Sequence, residues 1–190
     1  MKNVVILFSG GVDSLALLSL AKKQGIRPVL LHIQYDHPAA VEELRAVKDL
    51  YSRFAEISNL YLHKAAIYSK SMCLGVGEKG SREVSGRNLM FLSIAYNLSP
   101  LFFGKEHFYT WIGASKADQE DYFDCSSSFM HLAQLLTPNM GLYAPLIQRD
   151  KSEILGLIDP SVRELAWSCY EPREGVPCGE CNSCLQYVGV

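Results

Sequence analysis

Two adjacent glycines near the amino terminus constrain the fold of this chain more than any other feature. They lie in Ser9-Gly10-Gly11-Val12-Asp13-Ser14, between an apolar run at 4–8 and a run with apolar residues at helical spacing at 15–21. The first run predicts a buried strand and the second a helix, and the glycines allow a tight turn between them. The sequence therefore predicts the first strand, turn and helix of an open α/β sheet, in which ligands bind where strand ends and helix begins.

The composition of this loop indicates a phosphate site. The hydroxyls of Ser9 and Ser14 and the N–H groups of the helix start are donors for an anion. The commonest phosphate loop is excluded, because it needs Gly-x-x-x-x-Gly-Lys-Ser/Thr and no lysine lies between Lys2 and Lys22. Asp13 occupies the place of that lysine. A carboxylate beside phosphates is favourable when a divalent cation bridges the carboxylate and the phosphates, so we expect Asp13 to lie next to Mg²⁺. A plain glycine turn capped by Ser14 is the alternative.

Composition and net charge exclude several other classes of protein. The chain has 190 residues, 48% of them hydrophobic, which suits one sizeable core with a small appendage. A net charge of -2 gives no overall basic field, so tight nucleic-acid binding is not expected. No stretch approaches the roughly 20 apolar residues of a membrane span, and no signal-peptide pattern is present, so we expect no membrane association and a cytoplasmic location.

Hydrophobic periodicity predicts alternating strands and helices after the first unit. Strands are expected at 28–35, 60–63, 108–113 and 143–147, and helices at 39–58, 88–103, 129–136 and 151–158, with Pro100 kinking or ending its helix. This order predicts a doubly wound, mostly parallel sheet, with the polar loop at 114–127 facing the same crevice as the glycine loop. His32, inside the second strand, is expected to be a packed histidine.

The segment 64–87 breaks the periodicity. It contains Gly75-Val-Gly77-Glu-Lys-Gly80, which matches a dinucleotide-binding pattern, but no convincing strand precedes it, so we reject the match. A loop over the active site and a plain surface loop are the two interpretations.

Four of the six cysteines fall within the last 22 residues, as Cys169-x8-Cys178-x2-Cys181-x2-Cys184. Thiolates at this spacing around a turn converge on one tetrahedral ion, so we expect a structural zinc site. An iron–sulfur centre and disulfides are the alternatives. Cys73 and Cys125 stand alone, and Cys125 is expected to be a packed thiol.

The glycine loop resembles the pyrophosphate-binding loop of the ATP pyrophosphatases, the PP-loop superfamily with an adenine-nucleotide alpha-hydrolase-like fold. Three further segments, with the loop and the cysteines, resemble the 7-cyano-7-deazaguanine synthase family, which makes a precursor of queuosine. They are Gly86-Arg87-Asn88-Leu89, then Ile112-Gly113-x4-Asp118-x3-Tyr122-x-Asp124-Cys125, and finally Trp167-Ser168-Cys169-Tyr170.

The resemblance implies an ATP-dependent carbon–nitrogen ligase acting on 7-carboxy-7-deazaguanine and ammonia. ATP adenylates the acid, ammonia gives the amide, and a second ATP activates the amide oxygen so that its loss leaves the nitrile. The implied ATP-binding residues are Phe8, Ser9, Gly10, Gly11, Val12, Asp13 and Ser14, and the implied catalytic residues are Ser9, Asp13, Ser14, Arg87, Asp118 and Asp124. The implied metals are Mg²⁺ with ATP and Zn²⁺ at Cys169, Cys178, Cys181 and Cys184. We expect the ATP pyrophosphatase-type domain at 1–165, the zinc-binding tail at 166–190, and a possible homodimer.

The chain departs from the family pattern at several positions. Tyr35 and Glu42 are kept, but Asp36, His37, Pro38 and Ala39 replace the usual intervening residues, and Ser126, Ala166 and Tyr187 replace an arginine, a threonine and an arginine. These changes bear on substrate, nucleophile and partner rather than on ATP use. A relative that stops at the amide, or couples the acid to an amine of a protein or nucleic acid, is therefore an alternative, and a non-catalytic zinc-bearing module is another.

Overall fold

The computed structural model describes residues 2–67, 84 and 86–187. Their strands form one sheet in the order β3-β2-β1-β4-β5, and every neighbouring pair is parallel. The strands are β1 Val4–Leu7, β2 Val29–Gln34, β3 Asn59–Lys64, β4 Phe108–Trp111 and β5 Met140–Tyr143. The helices are α1 Val12–Lys23, α2 Ala40–Phe54, α3 Arg87–Phe103, α4 Lys116–Asp121, α5 Ser127–Leu136, α6 Lys151–Leu155, α7 Pro160–Arg163 and α8 Asn182–Gln186, with a 3₁₀ turn at Phe123–Cys125.

Helices cover both faces of the sheet, because the central strand β1 is apolar on both sides. Val4 and Ile6 pack on one face in a cluster that includes residues of α1, α2 and α6. Val5 packs on the opposite face with residues of α3 and α5. The predicted doubly wound α/β fold is confirmed.

The strand order reverses beside β1, and this reversal positions the candidate site. The chain proceeds outward from β1 to β2 and β3, then returns to the other side of β1 with β4. The loops that follow β1 and β4 therefore meet at the carboxyl edge, where open α/β sheets leave a crevice. Gly113 lies against the start of α1, so close that a Cβ on it would be 3.3 Å from Asp13 Cβ.

Several predicted boundaries are wrong: α2 ends at Phe54 rather than at 58, α6 at Leu155 rather than at 158, and β4 at Trp111 rather than at 113. The last strand is Met140–Tyr143 rather than 143–147. Pro145 has no N–H for a sheet ladder, and Leu146 is buried outside the strand. The predicted polar loop at 114–127 contains α4 and the 3₁₀ turn. Ser115 donates its N–H and hydroxyl to Asp118 Oδ2 at 2.8 and 2.6 Å, and this contact begins α4.

Other local expectations fit the structure. His32 is 4% exposed and its Nδ1 lies 3.0 Å from the Phe8 carbonyl oxygen, which confirms a packed histidine. Helix α3 continues past Pro100 and ends at Phe103, where Gly104 follows with φ +62°. The glycine-rich match at 75–80 lies outside the described residues. Within the described part of the chain, none of the helices has both the length and the apolar character needed to cross a bilayer.

Candidate active site

The glycine loop lies where β1 ends against α2. Gly10 has φ +82°, a conformation that favours glycine, and a Cβ there would lie 3.0 Å from the Val47 amide nitrogen. Gly11 precedes α1, and a Cβ there would be 3.3 Å from the Trp167 carbonyl oxygen. Both glycines therefore permit close approach of backbone, at Gly10 from α2 and at Gly11 from the carboxyl-terminal segment.

Hydrogen bonds shape the loop around the start of α1. The Gly11 amide donates to Ser9 Oγ at 3.2 Å, and Ser14 Oγ donates to the Gly11 carbonyl at 2.9 Å. Amides in the first turn of a helix have no acceptor within the helix, and the helix dipole adds positive potential there. The amides at the start of α1 are therefore the donors suited to phosphate, whereas the Phe8 amide donates to the Leu31 carbonyl and Asp13 carries an acceptor.

Asp13 is held by two side chains from distant parts of the chain. Lys151 Nζ lies 3.2 and 3.1 Å from its two carboxylate oxygens, and Tyr187 Oη donates to them at 3.2 and 3.1 Å. Burial raises the pKa of Asp13, while the charge of Lys151 acts to lower it. The Lys151 ammonium also lies 5.1 Å from the centre of the Tyr187 ring.

Sequence reasoning missed Lys151, although a local signal was available. Asp150 Oδ1 accepts the Glu153 amide and Glu153 Oε2 accepts the Asp150 amide, both at 2.9 Å. This capping box fixes the start of α6, and Lys151 is its first residue. The pattern Asp150-x-x-Glu153 predicts such a helix start, but only the fold brings it to the glycine loop.

The segment before the first predicted metal ligand packs directly on the loop. The Trp167 amide donates to the Gly10 carbonyl at 2.9 Å, and the Val12 amide lies 3.4 Å from Ser168 Oγ. The cysteine spacing predicts a role for Cys169, while Trp167, Ser168 and Tyr170 are implied only by the family resemblance. In the structure this segment forms one wall of the site.

The four carboxyl-terminal cysteines converge as predicted. The Sγ atoms of Cys169, Cys178, Cys181 and Cys184 all lie within 4.8 Å of one another. Cys178 Sγ is 3.6 Å from Cys169 Sγ and 3.9 Å from Cys184 Sγ, close to the edge of about 3.8 Å that a tetrahedron with zinc–sulfur bonds of about 2.3 Å requires. These separations exceed a disulfide bond, and the cysteines of this cluster are free thiols.

Backbone amides point at the sulfurs and suit thiolate ligands. The Cys178 amide lies 3.2 Å from Cys169 Sγ, and the Cys181 amide lies 3.4 Å from Cys178 Sγ. Backbone hydrogen bonding near Glu180 lowers the pKa of the Cys178 thiol to about 6, whereas burial raises the pKa of the Cys169 and Cys184 thiols. The separations of the four sulfurs, with the amides directed at them, fit a metal ion.

Arg87, Asp124 and Cys125 meet at the start of α3. The Asn88 amide donates to Asp124 Oδ2 at 3.2 Å, and Asn88 Nδ2 donates to the Asp124 carbonyl at 3.0 Å. Arg87 hydrogen-bonds Tyr35, and its pKa is raised because Tyr35, Tyr170 and Asp124 outweigh the effect of burial. Burial raises the pKa of the Cys125 thiol to about 12, which supports the packed interpretation.

Glu43 is the second residue that sequence reasoning missed. The family pattern drew attention to Glu42, but Glu43 lines a cavity of about 80 Å³ together with Ser9, Gly11, Val12, Asp13, Trp167, Ser168, Tyr170 and Ser183. His37 Nε2 lies 3.6 Å from Glu43 Oε2. Burial raises the pKa of Glu43 to about 7 and lowers that of His37 to about 4.

A family model described as "Queuosine biosynthesis protein QueC" matches residues 3–187 of this chain. The chain belongs to the QueC family. This membership confirms the resemblance and the enzyme class, an ATP-dependent ligase similar to 7-cyano-7-deazaguanine synthase.

Named relatives agree with this placement over most of their length. The 7-cyano-7-deazaguanine synthase of Chlorobium phaeobacteroides is 32% identical over 204 residues, which cover 96% of this QueC chain and 88% of that protein. The enzyme of the same name from Campylobacter jejuni serotype O:6 is 31% identical, with 97% and 91% covered. Among solved structures, the U34-tRNA thiolase NcsA from Methanococcus maripaludis with its [4Fe-4S] cluster superposes with a TM-score of 0.57 at 14% identity, covering 94% of this chain and 62% of that one. At that identity the likeness supports the fold alone.

Proposed function

We propose that this QueC chain is a 7-cyano-7-deazaguanine synthase that converts 7-carboxy-7-deazaguanine and ammonia to the nitrile with two molecules of ATP. The observation that carries the proposal is the glycine loop at the strand-order reversal, beside the Asp13–Lys151 pair, in a chain whose relatives bear that name. Amides of the loop and of the first turn of α1 would hold the phosphates of ATP. The Lys151 ammonium, which contacts Asp13, would lie next to those phosphates. Preorganised donors of this kind stabilise the charge of departing pyrophosphate.

The remaining predicted residues take roles on the substrate side. Arg87 supplies a buried cation for the substrate carboxylate or a phosphate, and Asp124 an acceptor for the N–H-rich edge of the deazaguanine ring. Asp118 accepts two hydrogen bonds from Ser115, so we assign it first to holding α4 in place. Its carboxylate is close enough to Asp13 to raise the pKa of that residue, which keeps it near the reacting groups.

We propose Mg²⁺ with the ATP phosphates and Zn²⁺ at the four cysteines. A carboxylate plus substrate phosphates is the donor set that Mg²⁺ uses in many phosphoryl-transfer sites, and Asp13 supplies the carboxylate. Four closely spaced thiolates suit Zn²⁺, which is structural when all four positions are filled by protein. An iron–sulfur cluster interposes iron and sulfide between its thiolates, so the short sulfur separations favour a single ion.

We also propose a division between the two domains at 165/166, a cytoplasmic location and a homodimer. The side chains of Leu132, Leu135 and Leu136 are exposed on one side of α5 and offer an apolar surface for a second copy.

Analysis of the reaction products separates the proposal from its alternatives. Purified protein is incubated with 7-carboxy-7-deazaguanine, ammonium, ATP and Mg²⁺, and the products are identified by mass spectrometry. The proposal requires AMP, pyrophosphate and the nitrile. AMP with only the amide would identify a relative that stops early, and absence of AMP release would identify a binding module.

A further inference from the structure

Glu43 faces the reaction site through the packing of α2. Val47 contacts Gly10 so closely that a Cβ on the glycine would lie 3.1 Å from Val47 Cγ2. Residues four apart share a helix face, so Glu43 lies on the Gly10-facing side of α2, one turn nearer its amino terminus. Its side chain is 19% exposed and lines the small cavity with Ser9 and Gly11.

The other carboxylates at this edge accept hydrogen bonds from the protein. Asp13 accepts from Lys151 and Tyr187, Asp118 from Ser115, and Asp124 from the Asn88 amide. His37 Nε2 lies 3.6 Å from Glu43 Oε2, but burial keeps that imidazole neutral at pH 7 by lowering its pKa to about 4, so the contact is not an ion pair there. Arg87 is the charged group that acts on Glu43 and favours its ionised form.

The cavity that Glu43 lines is the one that the glycine loop borders, because Ser9, Gly11 and Val12 line it too. An acyl-adenylate formed at the loop would therefore lie beside the Glu43 carboxylate. At neutral pH ammonia is present mainly as ammonium, which has no lone pair for attack on a carbonyl carbon, so a proton acceptor is needed beside the acyl group.

We propose that Glu43 is the group that takes a proton from the nitrogen nucleophile as it attacks the adenylated acid. Ammonium gives one proton to the Glu43 carboxylate, and the freed nitrogen lone pair forms the carbon–nitrogen bond. The bond from the acyl carbon to the AMP oxygen breaks with its electron pair going to AMP, and the nitrogen releases a second proton to solvent. Proton transfer is most effective when the acceptor pKa is near the working pH, and Glu43 meets this condition because burial raises its pKa to about 7.

This inference rests on the proposed function and is tested by separating adenylation from amide formation. Exchange of labelled pyrophosphate into ATP, measured with 7-carboxy-7-deazaguanine and without ammonium, reports adenylation alone. In Glu43→Gln we expect this exchange to match the wild type, while amide formation from ammonium at pH 7 falls by about 100-fold or more. Hydroxylamine, which is largely unprotonated at pH 7, needs no such acceptor and should restore product formation as the hydroxamate.

Glu56→Gln is the matched control, because Glu56 is exposed just past the carboxyl end of α2, at the opposite end of that helix from Glu43. We expect it to resemble the wild type in all three assays. Unchanged amide formation in Glu43→Gln would overturn the inference, as would an equal loss of exchange and of hydroxamate formation. A wild-type protein without exchange would instead remove the proposed function on which the inference depends.

Discussion

Asp13 has a structural role as well as its place in the glycine loop. Its carboxylate accepts from Lys151 and Tyr187, so one side chain links the start of α1 to α6 and to the end of α8. The side chains of Lys151 and Asp13 are 16% and 26% exposed, so the pair is partly shielded from water. Removing one partner from such a pair leaves the other charge poorly compensated.

We predict that Asp13→Asn lowers turnover by about 100-fold or more, because the carboxylate that would hold Mg²⁺ beside the departing pyrophosphate is lost. The sequence of the loop predicts little effect of Asp13→Asn on the free energy of unfolding. The contact with Lys151 predicts that the variant is less stable than the wild type. In a double-mutant cycle with Lys151→Met, measured by urea unfolding, the two changes should couple by about 1–3 kcal/mol. Additive effects, or near-normal AMP release by Asp13→Asn, would contradict these roles.

Asp124 is the residue through which we test the substrate side. We predict that Asp124→Ala abolishes binding of 7-carboxy-7-deazaguanine and leaves ATP affinity little changed, as measured by calorimetry. Asp124 also accepts the Asn88 amide, so loss of that bond should lower the free energy of unfolding by about 1 kcal/mol. Asp124→Asn keeps an acceptor without the charge and separates these two effects. Retained binding of the acid by Asp124→Ala would remove Asp124 from the substrate site.

The raised pKa of Glu43 predicts that the stability of the protein depends on pH. Burial raises the pKa of Glu43 to about 7 in the folded protein from an ordinary value of 4.5, so between these values the folded state holds a proton that the unfolded state has lost. The free energy of unfolding contributed by this group therefore falls as pH rises from about 4.5 to about 7. Glu43→Gln should become more stable than the wild type over this range, by up to about 3 kcal/mol above pH 7, with Glu56→Gln as the control. Parallel stability curves for wild type and Glu43→Gln would show that Glu43 has no such shift.

At the scale of elements, the cysteine cluster and the glycine loop form one connected structure. Trp167 and Ser168 contact the loop just before Cys169, and Tyr187 contacts Asp13 just after Cys184. The four cysteines thus lie between the two segments that close on the loop. Binding of an ion by all four thiolates would fix both segments at once.

We predict that Cys181→Ser loses the bound metal and lowers the melting temperature, because a structural ion contributes its binding free energy to folding. The contacts of Trp167 and Tyr187 with the loop imply that ATP affinity falls as well. Elemental analysis, thermal unfolding and calorimetry with ATP provide the three measurements, and Cys125→Ser is the control expected to keep its metal. Iron in the purified protein, or full ATP affinity without metal, would contradict this account.

Sequence patterns predicted those parts of the site that depend on neighbouring residues. The turn at Gly10 and Gly11 and the cysteine spacing both act over a few residues, and both are found where predicted. The capping box at Ser115 is equally local but went unused, which left α4 as a loop. The helix that begins at Lys151 was predicted, but its contact with Asp13 depends on how that helix packs. Glu43 and Tyr187 depend on how α2 and α8 pack against the loop, and no short pattern carries that information.

The overall fold could be predicted from hydrophobic periodicity, because buried parallel strands are continuously apolar and crossover helices are amphipathic. The same topology brings the loops after β1, β2 and β4 to one edge, with the glycine loop, Glu43 and Gly113. The prediction placed the last strand too late in the chain, because Gly141 has no side chain to continue the pattern of a strand. A Cβ there would lie 2.4 Å from the Tyr109 ring, so the tyrosine fills a space that alternation would assign to a side chain.

The most direct test follows the carboxylate oxygens of the substrate through the reaction. The wild-type protein is given 7-carboxy-7-deazaguanine labelled with ¹⁸O in both carboxylate positions, together with ammonium, ATP and Mg²⁺, and AMP and product are analysed by mass spectrometry. Adenylation of the acid and then of the amide requires that each nitrile forms with two AMP molecules, each carrying one ¹⁸O. AMP without the label, or no AMP release, would contradict the account.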